Sequence, residues 1–223
     1  IRKFNYNDNL LVTTNIVNCC IKYNVKRLIF TSSMATYGNG DGNLPFSEKT
    51  IQKPIDPYGV AKLAAEMDIK IASEQHGLEY CIIRPHNVYG LKQNIWDKYR
   101  NVLGIWMYRG MNGLPLLIYG DGQQKRNFSM VLDVVKGTLL GAIKEEAVGE
   151  IINIASEKEY TVKEIAENII KITNSKSKIV FLDPLKGDPM RNKADVSKAN
   201  NILEFKADYT LQKGLEYINK KLF

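Results

Sequence analysis

A tyrosine and a lysine stand four residues apart in Pro57-Tyr58-Gly59-Val60-Ala61-Lys62, and at a helix start that spacing puts both side chains on one face. An ammonium beside a phenol favours phenolate, so such a pair can take up and return a proton near neutral pH. Alone, the spacing also describes an ordinary surface Tyr-Lys pair. Two neighbouring segments add to it. Upstream, Thr31-Ser32-Ser33-Met34-Ala35-Thr36-Tyr37-Gly38 places hydroxyls where a strand ends, and open α/β sheets bind ligands at the carboxyl ends of their strands. Downstream, Arg84-Pro85-His86-Asn87-Val88-Tyr89-Gly90 follows another short strand.

Regular elements must hold these segments in place. Leu10 to Tyr23 carries apolar Leu11, Ile16, Val17, Cys20 and Ile21 at helical spacing and feeds a buried strand, Val25 to Thr31. After a loop rich in Gly and Asn, Tyr58 to His76 is helical by period and stops at Gly77, a good left-handed cap. Tyr80 to Ile83 reads as a strand broken by Pro85. Leu116 to Tyr119 reads as a strand closed by Gly120-Asp121-Gly122. Ile151 to Ala155 precedes a helix, Val162 to Thr173, which Thr161 and Glu164 open as a capping box. Strands alternating with helices predict a parallel sheet covered on both faces.

Composition narrows the function classes. No run reaches the roughly 18 apolar residues of a membrane span, and the opening Ile1-Arg2-Lys3-Phe4-Asn5 has no signal-like apolar stretch, so a cytoplasmic protein is expected. Three cysteines, two of them adjacent, suit small buried side chains better than a disulfide framework. With no Cys-x-x-Cys and two separated histidines, His76 and His86, there is no zinc pattern. A net charge of +7 suits anionic partners, yet the lysines are scattered without the aromatic interleaving of a single-strand groove, so nucleic acid is not expected.

The three segments, in this order, resemble the extended short-chain dehydrogenase/reductases, and most closely the UDP-glucose 4-epimerase group of NAD-dependent nucleotide-sugar enzymes. The similarity continues through Gly120-Asp121-Gly122 with Arg126-Asn127-Phe128, Ile152-Asn153-Ile154-Ala155, and Gly187-Asp188 followed by Ala194-Asp195-Val196-Ser197-Lys198-Ala199. It implies an α/β fold: an incomplete Rossmann-like parallel sheet with helices on both faces, formed by 1–86 and 128–156, and a smaller α/β substrate domain, formed by 87–127 and 157–223. The family's first strand, Gly-rich turn and helix have no counterpart here, which reads as a fragment of a longer gene product that binds NAD weakly and is inactive alone.

Carried over by position, Tyr58 is implied as the acid/base, Lys62 as the group holding the nicotinamide ribose, and Ser33 as the hydroxyl that aligns the sugar oxygen. Ser32 and Pro85 fall beside the cofactor, Ser32 also having a purely structural reading at the strand end. His86 reads as a polar filler where the family usually carries an aromatic ring. Asn87 is implied as a donor to the substrate diphosphate, and Asn101, Leu117, Tyr119 and Arg126 line the nucleotide end. Asp133 reads as structural and Asp188 as a partner of a ribose hydroxyl. Leu185 stands where the family commonly has an Arg, with Lys186 the nearest cation. Asn192 takes the place of a bulkier residue and leaves room for an N-acetyl group.

The reaction implied is epimerisation of a nucleotide sugar, a UDP-hexose at C4, through a 4-keto intermediate with tightly bound NAD. Related dehydratases and decarboxylases need a carboxylate just after the reacting hydroxyl, where this chain has Met34 and Ala35. A dehydratase or reductase of the same family, or a non-catalytic binding scaffold, are the competing readings. The helices over 10–23 and 58–76 resemble those of a four-helix interface, which implies a homodimer.

Overall fold

The computed structural model describes residues 2–95, 102–185 and 191–222. Arg2–Asn5 and a π-helical stretch, Tyr6–Leu11, lead into α1 (Val12–Lys22) and β1 (Arg27–Thr31). A 3-10 turn at Met34–Thr36 precedes α2 (Pro57–His76). Local chemistry fixes both ends of α2. Asp56 Oδ1 accepts the Gly59 N–H at 2.7 Å, Pro57 opens the helix without a donor to waste, and Gly77 closes it at φ 71°. Next come β2 (Glu79–Pro85), β3 (Val88–Tyr89), α3 (Val102–Met111), β4 (Leu116–Tyr119), β5 (Lys125–Asn127), β6 (Ser129–Met130) and α4 (Val131–Ile143). The chain ends with β7 (Glu150–Ile154), β8 (Glu159–Thr161), α5 (Val162–Ile172), β9 (Ile179–Leu182), β10 (Arg191–Asn192), α6 (Ser197–Leu203) and α7 (Leu211–Leu222). The Thr161–Glu164 capping box at α5 is formed in both directions.

Two compact units divide the chain: residues 1–86, 135–154 and 194–206 in one, and 87–134, 155–193 and 207–223 in the other. In the first, β1, β2 and β7 form a parallel sheet in that order, with Thr31 beside Ile83 and Ile83 beside Ile152. Alternate residues of a strand face opposite sides. Phe30 and Ile82 pack with Val17 and Cys20 of α1 and Ala65, Ile69 and Ala72 of α2. Cys81 and Ile83 point the other way, to α4, where a Cβ on Gly141 would stand 3.0 Å from Cys81 Sγ and one on Gly137 2.7 Å from Ile154 Cδ1. Helices therefore cover both faces, as the alternation of elements predicts.

Pro85 does not break the strand. It is the last residue of β2, paired with Ile154, a position where a missing donor costs least, and the next N–H, of His86, donates to the Ile154 carbonyl at 3.2 Å.

The second unit has its own core, with Leu103, Trp106, Leu116, Ile118, Phe128, Ile165, Ile169 and Leu215 among its buried residues. Its sheets are β10-β5-β8, β3-β6 and β4-β9. The division differs in detail from the boundaries read in the sequence. Residues 128–134 fall in the second unit, where β6 pairs with β3. Residues 194–206 return to the first, where Phe46 bridges Ala194 and its carbonyl accepts the Asp195 N–H at 2.9 Å. Among the described residues no helix is long and apolar enough to cross a membrane, and no group of three or more His, Cys, Asp or Glu could hold a metal ion.

Candidate active site

Ser33 leaves β1 in extended conformation, and its Oγ caps the Met34–Thr36 turn by accepting the Ala35 N–H at 3.2 Å. That turn lies directly on the first turn of α2. A Cβ on Gly59 would stand 2.5 Å from the Ala35 carbonyl oxygen, so only glycine beside Tyr58 lets the backbone carrying Ser33 come so close. One turn along α2, Lys62 Nζ donates to the Thr31 carbonyl at 2.9 Å, 4.8 Å from the Phe30 ring centroid and 5.9 Å from that of Tyr58. Burial holds the Lys62 ammonium below its ordinary value, and the Glu66 carboxylate pulls the other way. Tyr58 itself is 36% exposed.

Behind these groups lies a buried polar layer that sequence reasoning missed. Ser32, only 2% exposed, donates its hydroxyl to Glu66 Oε1 at 2.5 Å. Its hydroxyl hydrogen is thus committed to the interior. Arg84 meets the same carboxylate through Nε at 2.9 Å and Nη2 at 2.5 Å, and its guanidinium stacks 4.8 Å from the Tyr37 ring centroid. Tyr37 donates to Asn153 Oδ1 at 2.7 Å, and burial pushes its phenol up to about 12, so it stays a donor. Pro85 is buried at the end of β2. His86 is fully buried, and neither ring nitrogen has a hydrogen-bond partner among the described residues. Burial pushes its imidazole down to about 3, against a weaker pull from Asn153. The signal for Glu66 was its place four residues after Lys62, which reads equally as a solvated helix pair.

In the second unit Asn87, at φ 41°, donates its amide to the Asn127 carbonyl at 2.8 Å, which leaves its second amide hydrogen. Leu117 and Tyr119 lie on the outward face of β4, alternating with the buried Leu116 and Ile118. Arg126 on β5 stands beside Asn192 on β10 and opposite Tyr160 on β8, and its Nη1 reaches the Lys125 carbonyl at 2.8 Å. Asn192 is 7% exposed, and its Oδ1 has no partner among the described residues. Asp133 is structural, its carboxylate accepting the N–H groups of Asp208 and Tyr209 at 2.9 and 3.2 Å. Asn101 and Asp188 lie outside the described residues. Ser33, Tyr58 and Lys62 thus fall in one unit, and Arg126 and Asn192, paired across β5 and β10, in the other.

Residues 3–155 match the model of the NAD dependent epimerase/dehydratase family. The chain belongs to that family. An uncharacterised UDP-glucose epimerase of Bacillus subtilis, YtcB, is 30% identical over 207 residues, 93% of this chain and 64% of its own length. A UDP-N-acetyl-alpha-D-glucosaminuronate decarboxylase of Bacillus cytotoxicus is 33% identical, over 92% of this chain and 65% of its own. Among solved structures, UDP-glucose 4-epimerase of Thermotoga maritima with UDP-glucose superposes with a TM-score of 0.90 at 31% identity, covering 96% of this chain and 69% of that one. The chain spans about two thirds of the length of these family members. NAD is the family's cofactor. The donors present fit it: a half-buried ammonium and a partly exposed phenol, one helical turn apart, suit the hydroxyls of a ribose and an oxidisable alcohol.

Proposed function

We propose that the gene product carrying this chain inverts C4 of a UDP-hexose through a transient 4-keto sugar. The observation that carries this reading is the turn after Ser33 seated on Gly59, next to Tyr58, with the Lys62 ammonium anchored on Thr31 and 5.9 Å from the Tyr58 ring. Tyr58 takes the 4-hydroxyl proton and later returns it, Ser33 aligns that oxygen, and Lys62 holds the nicotinamide ribose. NAD, when bound, supplies the acceptor and donor of hydride; Lys62 and Tyr58 hold it, with Pro85 beside it. Asn87 and Arg126 fit the diphosphate, Arg126 by its fixed fork of donors, and Leu117, Tyr119, Asn101 and Asp188 complete the nucleotide end.

The decarboxylase relative favours a second reading, loss of carbon dioxide from a UDP-uronic acid. Met34 and Ala35 oppose it, because neither offers a carboxylate after Ser33. Incubation with NAD and either UDP-glucose or UDP-glucuronate decides between them: interconversion of gluco and galacto epimers is expected, and carbon dioxide from the uronate would overturn the assignment.

Asn192 sets the size limit at the second carbon of the sugar in this reading, and its unpartnered Oδ1 leaves an acceptor for an acetamido N–H. UDP-N-acetylglucosamine is therefore expected as a substrate. Asn192→Tyr should lower kcat/KM for it by about 10- to 100-fold, the cost of overfilling a packed site, while sparing UDP-glucose; equal losses on both sugars would refute the role.

A homodimer through α1 and α2 is part of the proposal. Val12 and Ile16 on α1, Tyr23 just past its end, and Val60, Met67 and Ile71 on α2 are exposed apolar side chains on two helices joined by a Thr14 to Asp68 hydrogen bond of 2.9 Å. Exposed patches of this kind mark interaction sites. The double variant Met67→Lys, Ile71→Glu should sediment as a monomer at concentrations where the natural protein is a dimer; an unchanged sedimentation coefficient counts against this interface.

A further inference from the structure

We propose that Glu66 is a positioning residue that sets Ser33, Tyr58 and Lys62 in register, acting through Ser32 and Arg84. The inference rests on the site assignment above. Three elements carry the residues assigned to the site: the end of β1, followed by Ser33; α2, with Tyr58 and Lys62; and the end of β2, with Pro85. Glu66 lies on α2 at i+8 from Tyr58 and i+4 from Lys62, so it shares their face, and it is 1% exposed. Its carboxylate grips the residue just before Ser33, by the 2.5 Å bond from Ser32, and the residue just before Pro85, by both bonds from Arg84. One buried group thus ties the ends of two strands to the helix between them.

Fold stability alone is a weak reason for this arrangement. A buried ion pair recovers its desolvation cost poorly, and apolar side chains of the same volume often hold a core as well. They cannot fix the rotation of a helix against two strand ends as three directional bonds do. Arg84 is itself oriented, stacked on Tyr37, whose hydroxyl is held by Asn153 of β7. The carboxylate has a second effect on the site. Lys62 faces Tyr58 and Glu66 on its own helix, and the Thr31 carbonyl and Phe30 ring on β1. Glu66 is the acid that offsets the desolvation of Lys62.

The test compares Glu66→Gln and Ser32→Ala with the natural gene product that carries this chain. Glu66→Gln keeps the shape but removes the charge; Ser32→Ala leaves the ion pair intact and cuts only the link to β1. If Glu66 positions the site, kcat falls by about 100-fold in Glu66→Gln and about tenfold in Ser32→Ala, the range expected for small misplacements of reacting groups, with KM for the UDP-sugar within about twofold because Glu66 touches no substrate. In carbon-13 spectra of labelled lysine, Lys62 loses its proton at lower pH in Glu66→Gln than in the natural protein and is unmoved in Ser32→Ala. Folded variants with natural kcat, or KM rising in step with falling kcat, would overturn the proposal. If Glu66→Gln does not fold, natural kcat in folded Ser32→Ala overturns it by itself. Failure of the epimerase reading is seen separately, as a natural protein without turnover, and the Lys62 titration still reports on Glu66.

Discussion

Tyr58→Phe is expected to lower kcat by about 10²- to 10⁴-fold, the usual contribution of a positioned proton-transfer group, with KM little changed. The substitution removes a single oxygen. Phenylalanine keeps the ring beside Gly59 and its approach to the Lys62 ammonium, now 5.9 Å from the ring centroid. Because Tyr58 is 36% exposed, the change should also shift stability by less than about 0.5 kcal/mol, as surface changes generally do. Lys62→Met should cost a similar factor, since it deletes the ammonium one helical turn from Tyr58 and its anchor on Thr31. Groups that act as one unit do not add, so the double variant should be only slightly worse than either single one. Steady-state rates on the UDP-sugar, with thermal melts as control, read all three. Undiminished turnover in Tyr58→Phe would refute its role as the proton-transfer group.

The parts of the fold that are legible in the sequence are those written by neighbouring residues. Gly77 announces the end of α2, and Thr161 with Glu164 announces the start of α5; each device works within one helical turn. Strands β3, β5, β6, β8 and β10 are two or three residues long and exist through partners far away in the chain, as when Asn192 pairs with Arg126. No local pattern could show them. Residues 194–206 join the first unit through Phe46, a contact nearly 150 residues away in sequence that periodicity cannot carry. Pro85 misleads for the opposite reason: its local meaning, a strand breaker, yields where it is the last residue of the ladder. At the site, Tyr58 and Lys62 are legible because one helix holds both. Glu66 and Arg84 are not, because charged residues in a sequence look solvated until a fold buries them together, and Ser32 could be assigned inward only once Glu66 was seen behind it.

The same buried layer gives the second large expected effect, a loss of stability in mild acid that His86→Phe removes. His86 is 0% exposed with its imidazole held down to about 3, whereas in the unfolded chain it titrates near the ordinary 6.5. Between those values the unfolded state binds a proton that the folded state refuses. Stability therefore falls as pH drops through that window, and the contribution is fully present only above about pH 6.5. The slope is at most about 1.4 kcal/mol for each pH unit, so the total by pH 3 is bounded at about 5 kcal/mol. Carboxylates titrate in the same range, but they are common to both proteins, so the difference between natural and His86→Phe unfolding curves isolates the imidazole. At neutral pH the variant should be the more stable by about 1 kcal/mol or more, since phenylalanine fills a similar volume and removes two buried nitrogens that have no hydrogen-bond partner among the described residues. Urea unfolding from pH 4 to 8 measures both effects. If the two curves run parallel across that range, His86 carries a proton in the folded state and its neutral, desolvated character is disproved. If they converge at pH 8 and diverge in acid, the cost of the ring lies in its charge rather than in its unpaired nitrogens. The same comparison bears on the proposed chemistry: an imidazole held neutral from pH 4 to 8 would not compete with Tyr58 as the proton donor.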